Sequence, residues 1–152
     1  MQDYVIAPCQ KAHLKEYARI YAAAFSGEPW RDAWEPEAAE EHIREMMESA
    51  RAYGLEYRFG EEIAGFLLGS SMLFHYGRVF EINDIAVLPH YQGQGIGSRL
   101  LEACISDMNQ RGMAGIHLIT QAEGSLPAFY RKYGFKRETQ VMLMGMELET
   151  DE

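Results

Sequence analysis

Apolar positions along the chain recur at two spacings, and the switches between them mark out the elements. Leu14, Tyr17, Ala18, Tyr21 and Phe25 repeat at helical spacing and predict a helix that ends near Ser26. Ala39, Ile43, Met46, Met47 and Ala50 form a second helical stripe, with Pro36 just inside its start. Gly97, Leu100, Leu101, Cys104, Ile105 and Met108 form a third, ending before Gly112. Strand-like runs cover residues 4–7, stopped by Pro8, then 57–59 and 63–73 as an antiparallel pair, then 79–88, 116–120 and 141–148. Between the last two runs, Leu126, Phe129, Tyr130 and Tyr133 mark a short helix, with Ser125 as its N-cap and Gly134 just past its end. Helices early, strands in the middle and alternation late predict one α/β domain over residues 1–152, a mixed sheet covered by helices. Residues 149–152 read as a frayed acidic tail.

Composition narrows the function. The chain has 152 residues, 47% of them hydrophobic, which suits a soluble globular domain. Its net charge of −9 argues against a nucleic-acid or anionic-membrane partner, because either would need a basic face. No apolar stretch approaches the ~20 residues of a membrane span, and the start MQDYVIAPCQ lacks the basic region of a signal peptide. Cys9 and Cys104 have neither metal nor redox spacing, so a reducing, cytoplasmic setting is expected. His13, His42, His75, His90 and His117 show no ligand spacing either, and no metal is assigned.

The chemistry concentrates in IAVLPHYQGQGIGSRLL, residues 85–101. A strand ends at Pro89, and Gly93, Gly95 and Gly97 lead into the third helix. Glycines let a ligand approach the backbone, and a helix start presents unpaired N–H groups to an anion such as a pyrophosphate. An NTPase phosphate loop would need G-x-x-x-x-G-K-[ST], and no lysine follows these glycines. A dinucleotide fingerprint would need G-x-G-x-x-G, and the residue three beyond Gly95 is Ser98.

Gln92-Gly93-Gln94-Gly95-Ile96-Gly97 instead resembles Q/R-x-x-G-x-G/A, the acetyl-CoA pyrophosphate motif of the GNAT superfamily of N-acetyltransferases. Ile85, Ala86 and Val87 look like that family's cofactor-facing strand. Residues 128–135, AFYRKYGF, resemble its later A-x-x-F-Y-x-K-x-G-F signature. The resemblance implies a mostly antiparallel sheet of about six to seven strands with a splayed parallel pair, flanked by about four helices. It implies acetyl-CoA as cosubstrate, gripped by Gln92, Gly93, Gln94, Gly95, Ile96, Gly97 and Ser98. Backbone groups of Ile85, Ala86 and Val87 would pair with the pantetheine arm, with an N–H near Val87 turned to the thioester oxygen. Tyr130 stands where the family often carries the tyrosine that protonates the departing thiolate.

For the base, the resemblance points to Glu81, six residues before Val87. Asp84 is the other carboxylate on that strand, and on a regular pleat it points to the opposite face. The two share a face only if the strand is bulged. The loop joining the first two helices forms one wall of the acceptor site in this family. Here it carries Glu28, Trp30, Asp32 and Trp34, which could hold a cation or simply plug the loop onto the core. The expected reaction is direct attack of an amine, with a small-molecule amine as acceptor. A protein N-terminus or lysine is the alternative, and a non-catalytic acetyl-CoA sensor is the rival from another class. The motifs hold no cysteine for a covalent route. A homodimer interface could come from the last strand, where Met142, Met144 and Met146 alternate.

Overall fold

Alternating side chains on adjacent strands build one sheet whose two faces are covered by different helices. The computed structural model describes residues 3–150. They fall into two compact units, one ending at Ile119 and one beginning at Thr120. In the first unit the strands β1 (Val5–Pro8), β2 (Ala52–Phe59), β3 (Glu62–Phe74), β4 (Gly77–Val87) and β5 (Gly115–Leu118) lie in chain order. The first four pair antiparallel and β5 runs parallel to β4.

Helices α1 (Leu14–Phe25) and α2 (Pro36–Glu48) bury their stripes on one face. Tyr17, Ile20, Tyr21 and Ile43 meet Phe66, Leu68 and Ala86 there. Pro36 starts α2 as expected, while Ser49 is extended and leaves Ala50 outside the helix. Helix α3 (Ile96–Gln110) covers the other face, with Leu100, Leu101, Cys104 and Met108 buried. A Cβ on Gly65 would come within 3.3 Å of Ile96, so glycine there lets α3 lie close to the sheet. Burial pushes the Cys104 thiol up to about 12, consistent with a small apolar filler and no nucleophile.

One buried charge breaks the apolar rule. Glu56, in the middle of β2, is 0% exposed and faces α1. Its carboxylate accepts from Tyr17, bonds His13 Nδ1 at 2.8 Å and accepts from Arg58 Nε at 3.1 Å. This one group ties β2 to α1 and to the turn that precedes it.

The second unit holds α4 (Ser125–Arg131). Ser125 is its first helical residue rather than its N-cap, because Gly124, with φ +98°, makes the entry turn. Gly134 takes φ +97° just beyond the helix, in keeping with its expected role in ending it. The sheet has five strands and not six to seven. The missing strand is 141–148, which has no regular structure. In residues 141–144, VMLM, both alternating sets of positions are apolar, so the first half of the run does not select a buried face or a register. Val141, Met142, Leu143, Met144 and Met146 are exposed, and the strand expected to carry the methionines is not formed. The tail expected over 149–152 falls partly outside the described residues.

Candidate functional site

Strand β4 and the start of α3 carry the site of the first unit. The pair between β4 and β5 covers only Val79 to Ile82 of β4. Beyond it, β4 continues to Val87 with no β5 residue opposite, which is the expected splay. Leu88 N–H bonds back to Ala64 O of β3 at 2.9 Å. Successive residues of a strand direct their amides to opposite edges, so Val87 and Ile85 turn theirs to the splayed side. The Val87 carbonyl accepts from Gln92 Nε2 at 3.0 Å, as that orientation requires.

A short 3-10 turn at Pro89–Tyr91 leads into the glycine loop. Gly93 and Gly95 adopt φ +81° and +85°, where any residue with a Cβ would be strained. Gly95 is the N-cap of α3 and has no side chain to satisfy the helix's first amides. The first intrahelical bond shown there is Arg99 N–H to Gly95 O, so the amides of Ile96, Gly97 and Ser98 lack helical acceptors. A Cβ at Gly93 or Gly97 would meet nothing within 4 Å, so the space over these amides is open. Open space, three unspent donors and the positive end of a helix dipole fit a diphosphate. Gln92 and Gln94 differ from expectation in one respect: their side chains brace the loop, on Val87 O and on His90 O at 3.4 Å.

Arg99 is a residue that sequence reasoning missed. Its guanidinium bonds Tyr57 OH and Gln94 O, each at 3.2 Å, and lies 5.0 Å from the Tyr4 ring centre. A cation in the first turn opposes the helix dipole, and that local misfit is the sequence signal that singles Arg99 out.

The carboxylates of β4 do not follow the regular pleat. Leu68 pairs with Asp84 but Gly69 pairs with Ile82, so Asn83 is an extra residue in a bulge. Glu81 pairs with Ser70, which shares a face with Leu68. Glu81 and Asp84 therefore share the face covered by α1 and α2, and the opposite placement expected for an unbroken strand is corrected. Gly69 makes the bulge possible, since a Cβ there would lie 2.2 Å from the Glu81 carbonyl oxygen. A glycine inside a strand is the signal that could have announced it. Glu81 is exposed, whereas Asp84 is only 8% exposed.

Asp84 is held by a second residue that sequence reasoning set aside. His42 of α2 bonds Asp84 Oδ2 through Nε2 at 3.0 Å. Its ring stacks on Tyr21, centroids 4.6 Å apart, and meets Trp34 at 5.2 Å. The Asp84 hydrogen bond raises the His42 pKa above its ordinary value, against the opposing effect of burial. Burial, then the charges of Asp84 and Asp32, push the Tyr21 phenol upward. Trp34 thus belongs to the α1/α2 packing, with its Nε1 buried and without a hydrogen-bond partner. Trp30 is 37% exposed and leans on Phe25, and Glu28 is paired with Arg31. Of the residues expected to line the acceptor wall, Trp34 lies against Tyr21 and His42.

In the second unit, Tyr130 packs edge-on against Phe129 and Phe135, at 5.1 and 5.7 Å. Burial pushes its phenol up to about 12, so it carries its proton at neutral pH. No helix among the described residues is long and apolar enough to cross a membrane.

Comparison with known proteins gives a consistent result. The family model described as "Acetyltransferase (GNAT) family" matches residues 14–135. The chain is 31% identical over 140 residues to the N-alpha-acetyltransferase RimI of Mycobacterium tuberculosis, covering 90% of this chain and 80% of that protein. Among solved structures, a possible acetyltransferase from Clostridium difficile 630 superposes with a TM-score of 0.83 at 12% identity, covering 96% of this chain and 99% of that one. The aminoglycoside N-acetyltransferase AAC(6')-Iy, in complex with CoA, superposes at 0.73 and 17% identity, with 97% of each chain covered.

Proposed function

The chain belongs to the acetyltransferase (GNAT) family and is an acetyl-CoA-dependent acyltransferase, and from that premise we propose that it transfers the acetyl group to a primary amine by direct attack in a ternary complex. The observation that carries the reading is the start of α3: three amides without helical acceptors, under open space, behind two left-handed glycines. Ile96, Gly97 and Ser98 would hold the diphosphate of acetyl-CoA, with Arg99 close to the same helix turn. The amides of Ile85 and Val87, turned to the splayed edge, suit the pantetheine arm and the thioester oxygen. An oxyanion donor of that kind is worth about 10²–10³ in rate. The cosubstrate supplies an acetyl group already activated as a thioester. The protein supplies position, a route for the amine's proton, and Tyr130 as the acid for the departing thiolate.

For the proton route, the α1/α2 face of β4 offers Glu81, the residue expected from the family resemblance, and Asp84 behind it. The acceptor we favour is the α-amine of a polypeptide N-terminus, because the relative that covers 90% of the chain is an N-alpha-acetyltransferase. A small-molecule amine is the second reading, supported by the net charge of −9 and the half-exposed Trp30. Both are tested by incubating the protein with acetyl-CoA and an alanine-initiated peptide, spermidine or kanamycin while following free thiol. Thiol release with the peptide alone supports the first reading, and release with the small amines alone supports the second. Acetyl-CoA binding without thiol release from any of them refutes an amine acceptor.

A further inference from the structure

We propose that His42, oriented by Asp84, is the proton acceptor for the amine, so that the base of this site is borne by α2 rather than by Glu81. The inference rests on the acetyltransferase reading above and concerns its least determined step.

The geometry defines the tautomer. Asp84 accepts the hydrogen bond from Nε2, so the neutral ring carries its proton on Nε2 and keeps a lone pair on Nδ1. Among the described residues no hydrogen bond occupies Nδ1. A carboxylate that fixes a histidine in one tautomer and steadies its protonated form is the arrangement that makes imidazole an efficient base. Stacking on Tyr21 and the flank of Trp34 hold the ring in place, while its side chain is still 25% exposed. The groups facing it are Asp84 from β4, Tyr21 from α1, Trp34 from the loop and, by its charge, Glu45 from α2 itself. Asp32 adds its charge to the same cluster through Tyr21.

Position favours this dyad over Glu81. Asp84 lies three residues, roughly 10 Å, before Val87, whereas Glu81 lies six residues before it, roughly 17–20 Å at ordinary strand rise. The bulge at Asn83 is what turns Asp84 toward α2. In the step, an ammonium acceptor gives one proton to Nδ1, and its freed lone pair forms the N–C bond as the C–S bond breaks. The second proton shed by the nitrogen balances the one taken up by the thiolate, and the imidazolium returns its proton to solvent.

The test is the pH dependence of kcat for wild type, His42→Gln, Asp84→Asn and Glu81→Gln, with acetyl-CoA and an alanine-initiated peptide, spermidine or kanamycin, whichever releases thiol. Glutamine at 42 keeps an N–H for Asp84 but has no basic lone pair, so its fold and acetyl-CoA affinity stay those of wild type. Wild-type kcat falls as pH drops through a value above the ordinary histidine range. His42→Gln removes that limb and lowers the plateau by about 10²–10⁴-fold. Asp84→Asn moves the limb to lower pH, and Glu81→Gln leaves it in place. A purely structural clamp would move none of these limbs. Independently of any variant, an NMR titration of the His42 ring with acetyl-CoA bound has its midpoint at the wild-type kcat limb. The proposal is overturned if His42→Gln retains the limb or keeps kcat within about twofold, if the limb follows Glu81, or if the NMR midpoint departs from it by more than about one pH unit. Those failures leave wild-type turnover intact. Absence of turnover by wild type with all three amines overturns the acetyl-transfer reading along with this one.

Discussion

Gly97→Ala separates the two demands that the start of α3 places on one residue. Gly97 is the second residue of the helix, with ordinary helical backbone, and a Cβ there meets nothing within 4 Å. Alanine in a helix is favoured over glycine by about 0.5–1 kcal/mol, and the first turn takes the lower end, about 0.5 kcal/mol. For a chain of this size that raises Tm by roughly 1–2 °C. The same methyl enters the space over the amides of residues 96–98. If a diphosphate loses one charge-assisted hydrogen bond there, about 1.5–3 kcal/mol disappears and the acetyl-CoA Kd rises roughly ten- to hundredfold. Scanning calorimetry of the unliganded protein and titration calorimetry with acetyl-CoA measure the two effects separately. Gly95→Ala is the contrasting control: at φ +85° it strains the backbone by about 1–2 kcal/mol and lowers Tm by roughly 2–8 °C. A stabilised Gly97→Ala protein whose Kd moves less than twofold refutes the placement of the diphosphate on these amides. A clear fall in its Tm refutes the claim that the space is open.

Three further outcomes follow from other parts of the molecule. Tyr130→Phe lowers kcat by about 10²–10⁴-fold with acetyl-CoA affinity nearly unchanged, if the phenol protonates the thiolate; its pKa of about 12 means wild type shows no alkaline loss from this group below about pH 10, which a kcat–pH profile checks. Gly69→Ala forces a methyl to within 2.2 Å of the Glu81 carbonyl oxygen and 2.5 Å of the Phe80 ring, and costs about 1–3 kcal/mol in urea denaturation. An unchanged urea midpoint would show that the bulge has room to spare. Glu56→Ala strips His13, Tyr17 and Arg58 of their shared buried acceptor and destabilises by about 3–5 kcal/mol, measured the same way; a loss below about 1 kcal/mol would mean water replaces the carboxylate.

The sequence by itself determined the parts that depend on local periodicity and on chemistry confined to a few consecutive residues. The three long helices, the hairpin of β3 with its neighbours, and the glycine loop at a helix start were legible because helical stripes and left-handed glycines are local properties. The family followed from the spacing of Gln92, Gly95 and Gly97, confirmed by the match over residues 14–135. The strand expected over 141–148 is absent, and the unbroken apolar run at its start, residues 141–144, lacks the information that selects a face. Tertiary structure alone decided which polar groups meet. Glu81 and Asp84 share a face only because Gly69, on the neighbouring strand, admits a bulge at Asn83. His42 and Asp84 are 42 positions apart in the chain, and no pattern within either element announces a 3.0 Å bond between them. Register, bulges and helix docking are properties of pairs of elements, and so the pairing of His42 with Asp84 is settled only when the elements pack.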